Sequence, residues 1–314
     1  SAAAALGGAR ASSGGPVSTR SPRSRRPPTG EEPPARRRRS PGGGRTLLWL
    51  GLIVVMVVAV GWALARGSFG DDDPGPAQEQ AAPTSTLLIR EGLRREDVAA
   101  LLDKETSLSG DRYLALTGPG ARGRALAGTD RPTSLEGFLF PATYELPEDA
   151  TARDLVDLQV EAYEANTADV NYRYAQSRNL TKYDVLTIAS MIEREVAVAR
   201  ERPLVASVIY NRLRAGMRLD IDATVQYAVG EWKEELSNSD LNVDSPYNTR
   251  RYAGLPPGPI SNPGKDSIRA AARPVRTPYL YYVARNDGSG RHYFSSTPEQ
   301  FERDVQRSRA NLAG

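Results

Sequence analysis

The sequence contains no cysteine among its 314 residues and only one histidine, His292. Without cysteine the chain can form neither a disulfide framework nor a thiolate-ligated metal site. A single histidine cannot form the histidine cluster that many zinc enzymes use. We therefore expect no metal and no other cofactor. A cysteine-free chain also suits an oxidising compartment, although it does not require one.

Acidic residues are scarce in the N-terminal part of the chain. Residues 1–66 contain 11 Arg and 2 Glu, whereas the remaining residues contain 30 basic and 36 acidic side chains. The high pI of the whole chain therefore belongs to this N-terminal part, and it does not indicate nucleic-acid binding by the rest. Residues 1–45 are almost entirely Ala, Gly, Ser, Pro and Arg, which cannot form a core, so we expect a disordered arm there.

One long apolar run follows the arm. Residues 47–65 are uncharged and mostly apolar, and Arg45 and Arg66 flank them. The run is long enough to cross a bilayer and predicts a transmembrane helix over residues 46–66. A cleaved signal peptide is the alternative. The run is, however, longer than the apolar region of a typical signal peptide, and the arm before it is unusually long.

The charges on either side of this run predict its orientation. Arginine is in excess before it, and Asp71–Asp73 follow it. The positive-inside rule therefore places the arm in the cytoplasm, where it could contact anionic lipid, and the rest of the chain outside. Residues 67–84 are rich in polar and turn-forming residues and predict a short linker.

The remaining residues predict an α+β fold in which helices outnumber strands. A strand is predicted at Ser85–Arg90, and a β-hairpin is predicted between Tyr279–Val283 and His292–Phe294. Asn262 is expected to cap a helix that begins at Pro263. Other helices are predicted at Arg95–Leu102, Asp111–Leu116, Thr151–Ala168, Arg202–Arg214 and Thr297–Leu312.

A further helix, which begins near Thr181, carries two acids in an otherwise apolar segment. Glu193 and Glu195 flank its predicted buried face on opposite sides, so they are not expected to form the facing carboxylate pair of a two-acid glycosidase. Burial raises the pKa of a carboxyl group, which suits a general acid. The alternative is that both acids are solvated. The buried face is formed by Val185, Ile188, Ala189, Ile192 and Val196.

Six segments together resemble the motifs of the endolytic murein transglycosylase (MltG, YceG-like) family, from about Leu87 to the C-terminus. The resemblance implies a bacterial inner-membrane protein with one N-terminal span and an extracytoplasmic catalytic domain, here residues 134–314. Members usually carry a fuller LysM-like subdomain than the partial one expected at residues 85–133, so glycan anchoring there stays open. The segments are Leu135–Tyr144, Ala189–Glu195, Val205–Leu213, Asp222–Tyr227, Tyr247–Thr249 and Gly254–Ile260.

The resemblance also implies a reaction. Family members cleave the β-1,4 bond between N-acetylmuramic acid and N-acetylglucosamine inside nascent glycan strands, and they leave a 1,6-anhydromuramyl end without consuming water. One glutamate can act first as acid and then as base. The family's catalytic glutamate falls on Glu193, although the helical pattern alone does not distinguish it from Glu195. The implied partners are peptidoglycan strands, inner-membrane lipid, and peptidoglycan synthases or other proteins of division and elongation.

Further site residues follow from the same motifs. The positions expected to hydrogen-bond the glycan are Asn211, Asp222, Tyr247, Asn248 and Thr249. Glu136, beside an aromatic cluster, is the candidate for a second carboxylate. Each has a structural alternative: Asp222 could cap a helix, Asn211 could cap a turn, Tyr247 could belong to the core and Glu136 could form a loop salt bridge.

Two other functions stay open at this point. A muramidase-type glycoside hydrolase would need a second carboxylate at a suitable separation, from Glu136 or Asp222, and would release reducing ends. A non-catalytic peptidoglycan-binding scaffold would bind murein without forming any product. Both alternatives are distinguishable from a transglycosylase by the products of murein digestion.

Overall fold

A computed structural model describes residues 84–119, 121 and 134–313. The predicted arm and membrane span, together with nearly all of the predicted linker, lie outside these residues. Within the part of the chain that the structure describes, no helix is both long and apolar enough to cross a membrane.

The first sheet joins two distant segments of the chain. Strand β1 (Thr84–Leu88) pairs antiparallel with β2 (Thr143–Pro147), with Leu87 opposite Tyr144. Both of these residues are buried in the main hydrophobic cluster. Residues before and after the expected domain boundary at 133 and 134 therefore share one sheet. Two helices lie between the strands in the chain, α1 (Arg95–Glu105) and α2 (Gly110–Thr117).

The rest of the chain is mostly helical, so the expected helix-rich α+β fold is confirmed. Strands β3 (Tyr281–Ala284) and β4 (His292–Ser295) form the predicted C-terminal hairpin. A short 3₁₀ turn at Ala199–Glu201 separates α5 from α6. The helices are α3 (Ala152–Thr167), α4 (Arg173–Gln176), α5 (Lys182–Glu195), α6 (Arg202–Arg214), α7 (Asp222–Val229), α8 (Asn238–Leu241), α9 (Lys265–Ala272) and α10 (Pro298–Ala313).

Helix α5 is the central helix of the fold and packs against α6 and α9. It begins where the sequence predicts, because Thr181 and Asp184 form a reciprocal capping box. The predicted apolar face is buried, but burial extends all the way round, and every residue from Val185 to Ile192 is buried. The two acids at the C-terminal end of α5 therefore emerge from the core of the molecule.

The expectation for Asn262 is wrong, because α9 begins at Lys265 with Gly264 at its N-cap. The Asn262 side chain instead accepts from the backbone N–H groups of Gly137 and Leu139 at 2.8 and 3.1 Å. Its amide nitrogen donates to the Leu93 carbonyl at 3.0 Å. One buried side chain thus fastens three loops together beside the C-terminal end of α5.

Candidate active site

Glu193 is held in an ion pair. Its side chain is only 6 % exposed, and Arg202 Nη2 lies 3.3 Å from its Oε1. The Gly264 backbone N–H donates to its Oε2 at 3.0 Å. The alternative in which Glu193 is a solvated flank residue is therefore wrong. A guanidinium and a backbone N–H thus engage both oxygens of this carboxylate.

Arg202 connects Glu193 to a second acid, Glu91, which the sequence does not single out. Arg202 Nη2 lies 3.8 Å from Glu91 Oε2, and its Nε donates to Ser267 Oγ at 3.0 Å. Burial raises the pKa of Glu91, and the charge of Glu193 raises it further. The Glu91 carboxyl lies so close to Gly264 that a Cβ there would overlap it. A larger residue at position 264 would therefore displace the Glu91 carboxyl from this loop.

Glu195 lies in a different environment. Burial of its carboxyl raises its pKa, and the nearby charge of Asp222 adds to the effect. Tyr282 Oη donates to Glu195 Oε2 at 3.0 Å, and the residue is partly exposed. A carboxyl group in these surroundings retains its proton to a higher pH than an ordinary glutamic acid, which is the property that a general acid needs.

The hairpin holds Tyr282 in place beside Glu195. The Tyr282 ring packs edge-on against His292, with 5.5 Å between ring centroids. His292 Nδ1 lies 2.8 Å from Glu201 Oε2, and its backbone N–H also donates to this carboxylate. Burial raises the pKa of Tyr282 well above its usual value, so the phenol remains a hydrogen-bond donor.

Asp222 is close enough to Glu195 to affect its charge. It is the first residue of α7, and Ile221 occupies the N-cap position, so the helix-cap alternative is wrong. The Asp222 carboxylate instead accepts a hydrogen bond from Arg250 Nη1. Its side chain is 23 % exposed. The structure thus brings this predicted site residue to the acid at position 195.

Asn211 uses its side chain inside the protein. Its amide nitrogen donates to the carbonyl groups of Thr277 and Tyr279 at 2.9 and 2.8 Å. Its amide oxygen accepts from Arg214 Nη2 at 3.0 Å. Both amide hydrogens and the oxygen are therefore engaged, and they fix the segment before the hairpin to α6.

Asn248 and Thr249 are also internal, with exposed fractions of 0 % and 2 %. Asn248 Nδ2 donates to the carbonyl groups of Leu241 and Val243. Thr249 Oγ1 accepts from the Ile221 backbone N–H at 3.1 Å. Asn248 thus holds its loop against the C-terminal end of α8, and Thr249 holds it against the N-terminal end of α7.

Tyr247 and Glu136 complete the predicted set. The Tyr247 ring packs against Tyr227 with 4.8 Å between centroids, and both rings pack on the hydrophobic core. Glu136 is buried, which raises its pKa to about 8. Asn262 Nδ2 and the Arg95 backbone N–H donate to its two oxygens at 2.8 and 3.3 Å. Glu136 therefore joins α1 to the loops that Asn262 fastens.

Several contacts in this region are not indicated by any pattern in the sequence. Arg202 and Tyr282 contact the two glutamates only because the chain folds back on itself, over 9 and 87 residues. Arg194 stacks its guanidinium 3.7 Å from the Trp232 ring centroid, a contact that joins positions 38 residues apart. Among the described residues, no group of three or more His, Asp or Glu could hold a metal ion.

Comparisons with known proteins identify relatives of this chain. The profile of the YceG-like family matches residues 74–307. Endolytic murein transglycosylases of Bacillus subtilis and Streptococcus pneumoniae are 41 % and 38 % identical over 49 % and 54 % of this chain. These matches cover 43 % and 32 % of the relatives' own lengths, so the chain aligns with less than half of each.

A solved structure shows the same fold. The crystal structure of a YceG-like protein from Listeria monocytogenes aligns with a TM-score of 0.62 at 36 % sequence identity. The alignment covers 71 % of this chain and 76 % of that one. Since the family profile also matches most of the sequence, this chain belongs to the YceG-like family.

Proposed function

We propose that this protein is an endolytic murein transglycosylase, a carbon–oxygen lyase that cleaves the MurNAc-β-1,4-GlcNAc bond within nascent glycan strands and so ends their elongation. The supporting observation is the partly exposed Glu195, which accepts a hydrogen bond from Tyr282 and whose pKa is raised by burial of the carboxyl and by the nearby Asp222. The named activity of the relatives supports the same reaction.

The proton balance of this reaction needs one group that gives a proton and then takes one. The acid protonates the glycosidic oxygen as the bond from the muramyl C1 breaks. The muramyl 6-hydroxyl then adds to C1, and the carboxylate removes the hydroxyl proton, which closes the 1,6-anhydro ring and regenerates the acid. No water enters the product.

The family resemblance assigns this role to Glu193. Both of its carboxylate oxygens are bonded within the protein, one to Arg202 and one to the Gly264 backbone N–H. We therefore assign the proton transfer to Glu195 and assign Glu193 to the ion pair that holds Arg202. Asn211, Asn248 and Thr249 act by supporting the site, since their side chains are bonded within the protein.

The location belongs to the same proposal. A single-pass anchor in the bacterial cytoplasmic membrane, with the catalytic part outside, is supported by the apolar run at residues 47–65 and the arginine excess before it. Nascent peptidoglycan strands, membrane lipid and the peptidoglycan synthases are then the expected partners at that surface.

Product analysis tests the reaction. The full chain is incubated with purified uncrosslinked murein strands, and the products are identified by mass spectrometry. We expect cleavage within the strands, which leaves anhydromuramyl ends on the fragments. Reducing ends would instead establish a hydrolase, and murein binding without any product would establish a scaffold.

A further inference from the structure

A polar cavity lies at the C-terminal end of α6, away from the two glutamates. It has a volume of about 210 Å³ and opens to solvent between α4, α6 and the segment at residues 275–277. That volume suits the end group of a ligand better than two sugar rings.

Three arginines surround this cavity: Arg178, Arg214 and Arg276. All three are exposed. In the part of the chain that the structure describes, none of them forms an ion pair with an acid; Arg178 lies over the Tyr174 ring and Arg214 donates to Asn211. Other arginines of the fold have acidic partners, namely Arg94, Arg95, Arg202, Arg212 and Arg250.

The floor of the cavity is rigid. Ser207 and Thr277 share a hydrogen bond of 2.8 Å between their hydroxyls, and Tyr210 Oη donates to the Ala271 carbonyl at 2.8 Å. Asn211 fixes the same segment and also orients Arg214. An immobile polar floor under unpaired guanidinium groups is a preorganised arrangement for binding an anion.

A carboxylate fits this chemistry because a guanidinium can bind both of its oxygens in parallel. Val275 adds an apolar contact at the rim and is 43 % exposed. The cavity therefore combines positive charge, a polar floor and a small apolar surface. These features suit the last residue of a peptide with a free carboxylate.

We propose that this cavity binds the terminal carboxylate of the short peptide side chains that murein strands carry. The source of the ligand rests on the proposed function. Helix α6 has 13 residues, so Arg202 at one end and Arg214 at the other lie about 18 Å apart. An extended peptide of five residues spans about 17 Å. A peptide on a sugar near the glutamates can therefore reach the cavity.

Direct titration tests this site without relying on cleavage. Diacetyl-Lys-D-Ala-D-Ala and its C-terminal amide are titrated calorimetrically into the full chain, and inorganic phosphate is titrated separately. The acid is expected to bind at least 10-fold more tightly than the amide. In Arg214→Gln/Arg276→Gln the affinity for the acid should fall about 10-fold, with the affinity for the amide unchanged.

The matched control is Arg303→Gln/Arg309→Gln, which removes two exposed charges from α10, a helix that does not line the cavity. Equal binding of acid and amide, or wild-type binding of the acid by the cavity variant, would overturn the proposal. Phosphate binding as tight as that of the peptide acid would also overturn it, by indicating a phosphate site.

Murein strands link the site to the reaction. The cavity variant should have a KM about 10-fold higher than wild type on strands with peptides, with kcat unchanged, and a wild-type KM on strands stripped of peptides by an amidase. The same loss on stripped strands would contradict peptide recognition. Absence of cleavage by the wild type would refute the proposed function and leave the titration result standing.

Discussion

At the residue scale, Glu193 and Glu195 stand two positions apart on α5 and meet opposite surroundings. Glu193 receives a guanidinium and a backbone N–H, whereas Glu195 receives a phenol and a nearby carboxylate. The helical pattern indicates that the two acids diverge. It does not show which groups they meet, because those groups come from distant parts of the chain.

The Arg202–Glu193 pair can be tested through stability. Arg202→Gln leaves the nearly buried Glu193 carboxylate with one partner fewer. The free energy of unfolding, measured by urea unfolding, should therefore fall by about 3 kcal/mol. Adding Glu193→Gln to this variant should recover much of the loss, because the pair is coupled. Arg218→Gln, at a side chain that is 48 % exposed, should change stability by less than about 0.5 kcal/mol.

Glu136 should make stability depend on pH. Its pKa is about 8 in the folded state against 4.5 when unperturbed. Between these values the folded state keeps a proton that the unfolded state has released, so stability falls as the pH rises. Glu136→Gln removes this dependence.

The measurement is urea unfolding of both proteins at several pH values from 5 to 8. The stability of Glu136→Gln relative to wild type should increase by up to about 1.4 kcal/mol per pH unit. Glu145→Gln, at an exposed position on β2, is the control. A difference between wild type and Glu136→Gln that stays constant over this range would contradict the burial of an ionisable group here.

At the scale of elements, the helices and the hairpin follow local signals that are present in the sequence. The capping box at Thr181 and the residues between the hairpin strands mark their ends without help from tertiary contacts. Asn262 is a position where the local signal fails. Its side chain does not cap a helix but forms hydrogen bonds that join three loops. Similarly, Asn248 and Thr249 match motif positions, yet their side chains hold a loop against the ends of α8 and α7.

The hydrogen bond from Tyr282 on the hairpin to Glu195 on α5 should affect the pKa of Glu195. The Tyr282 hydroxyl lowers the pKa of Glu195 by hydrogen bonding, so Tyr282→Phe should raise that pKa. The alkaline limb of the kcat/KM profile for murein should then move to higher pH, because the acid stays protonated for longer. Tyr281→Phe, whose ring stacks on Phe301, is the matched control. A movement of that limb to lower pH would refute this role.

At the scale of the whole molecule, the segment of residues 84–119 and the body of residues 134–313 share one hydrophobic core. Leu87, Leu102 and Tyr113 are nearly or fully buried, and Tyr113 Oη donates to Gln159 on α3 at 2.9 Å. The loop that follows β1 also brings Glu91 to Arg202. Sequence patterns identify the strand and helices of this segment. Its contact with the Arg202–Glu193 pair, through Glu91, depends on the pairing of β1 with β2.

This shared core predicts the result of truncation. Residues 134–313 expressed alone would lose the partner of β2 and expose the buried surface beneath α1 and α2. We expect this fragment to lack a cooperative thermal transition by circular dichroism, whereas residues 84–313 should melt cooperatively. A fragment of residues 134–313 that melts at the same temperature as the longer one would show that the segment is independent.

Proton transfer by Glu195 is tested by comparing two isosteric variants. Initial rates of anhydromuramyl product formation are measured for Glu193→Gln and Glu195→Gln, with the exposed Glu161→Gln as control and thermal melts to verify folding. The rate of product formation by Glu195→Gln should be about 10²–10⁴-fold below that of wild type. Glu193→Gln should retain at least about a tenth of the wild-type rate. A folded Glu195→Gln that forms product at the wild-type rate, beside an inactive Glu193→Gln, would contradict the account.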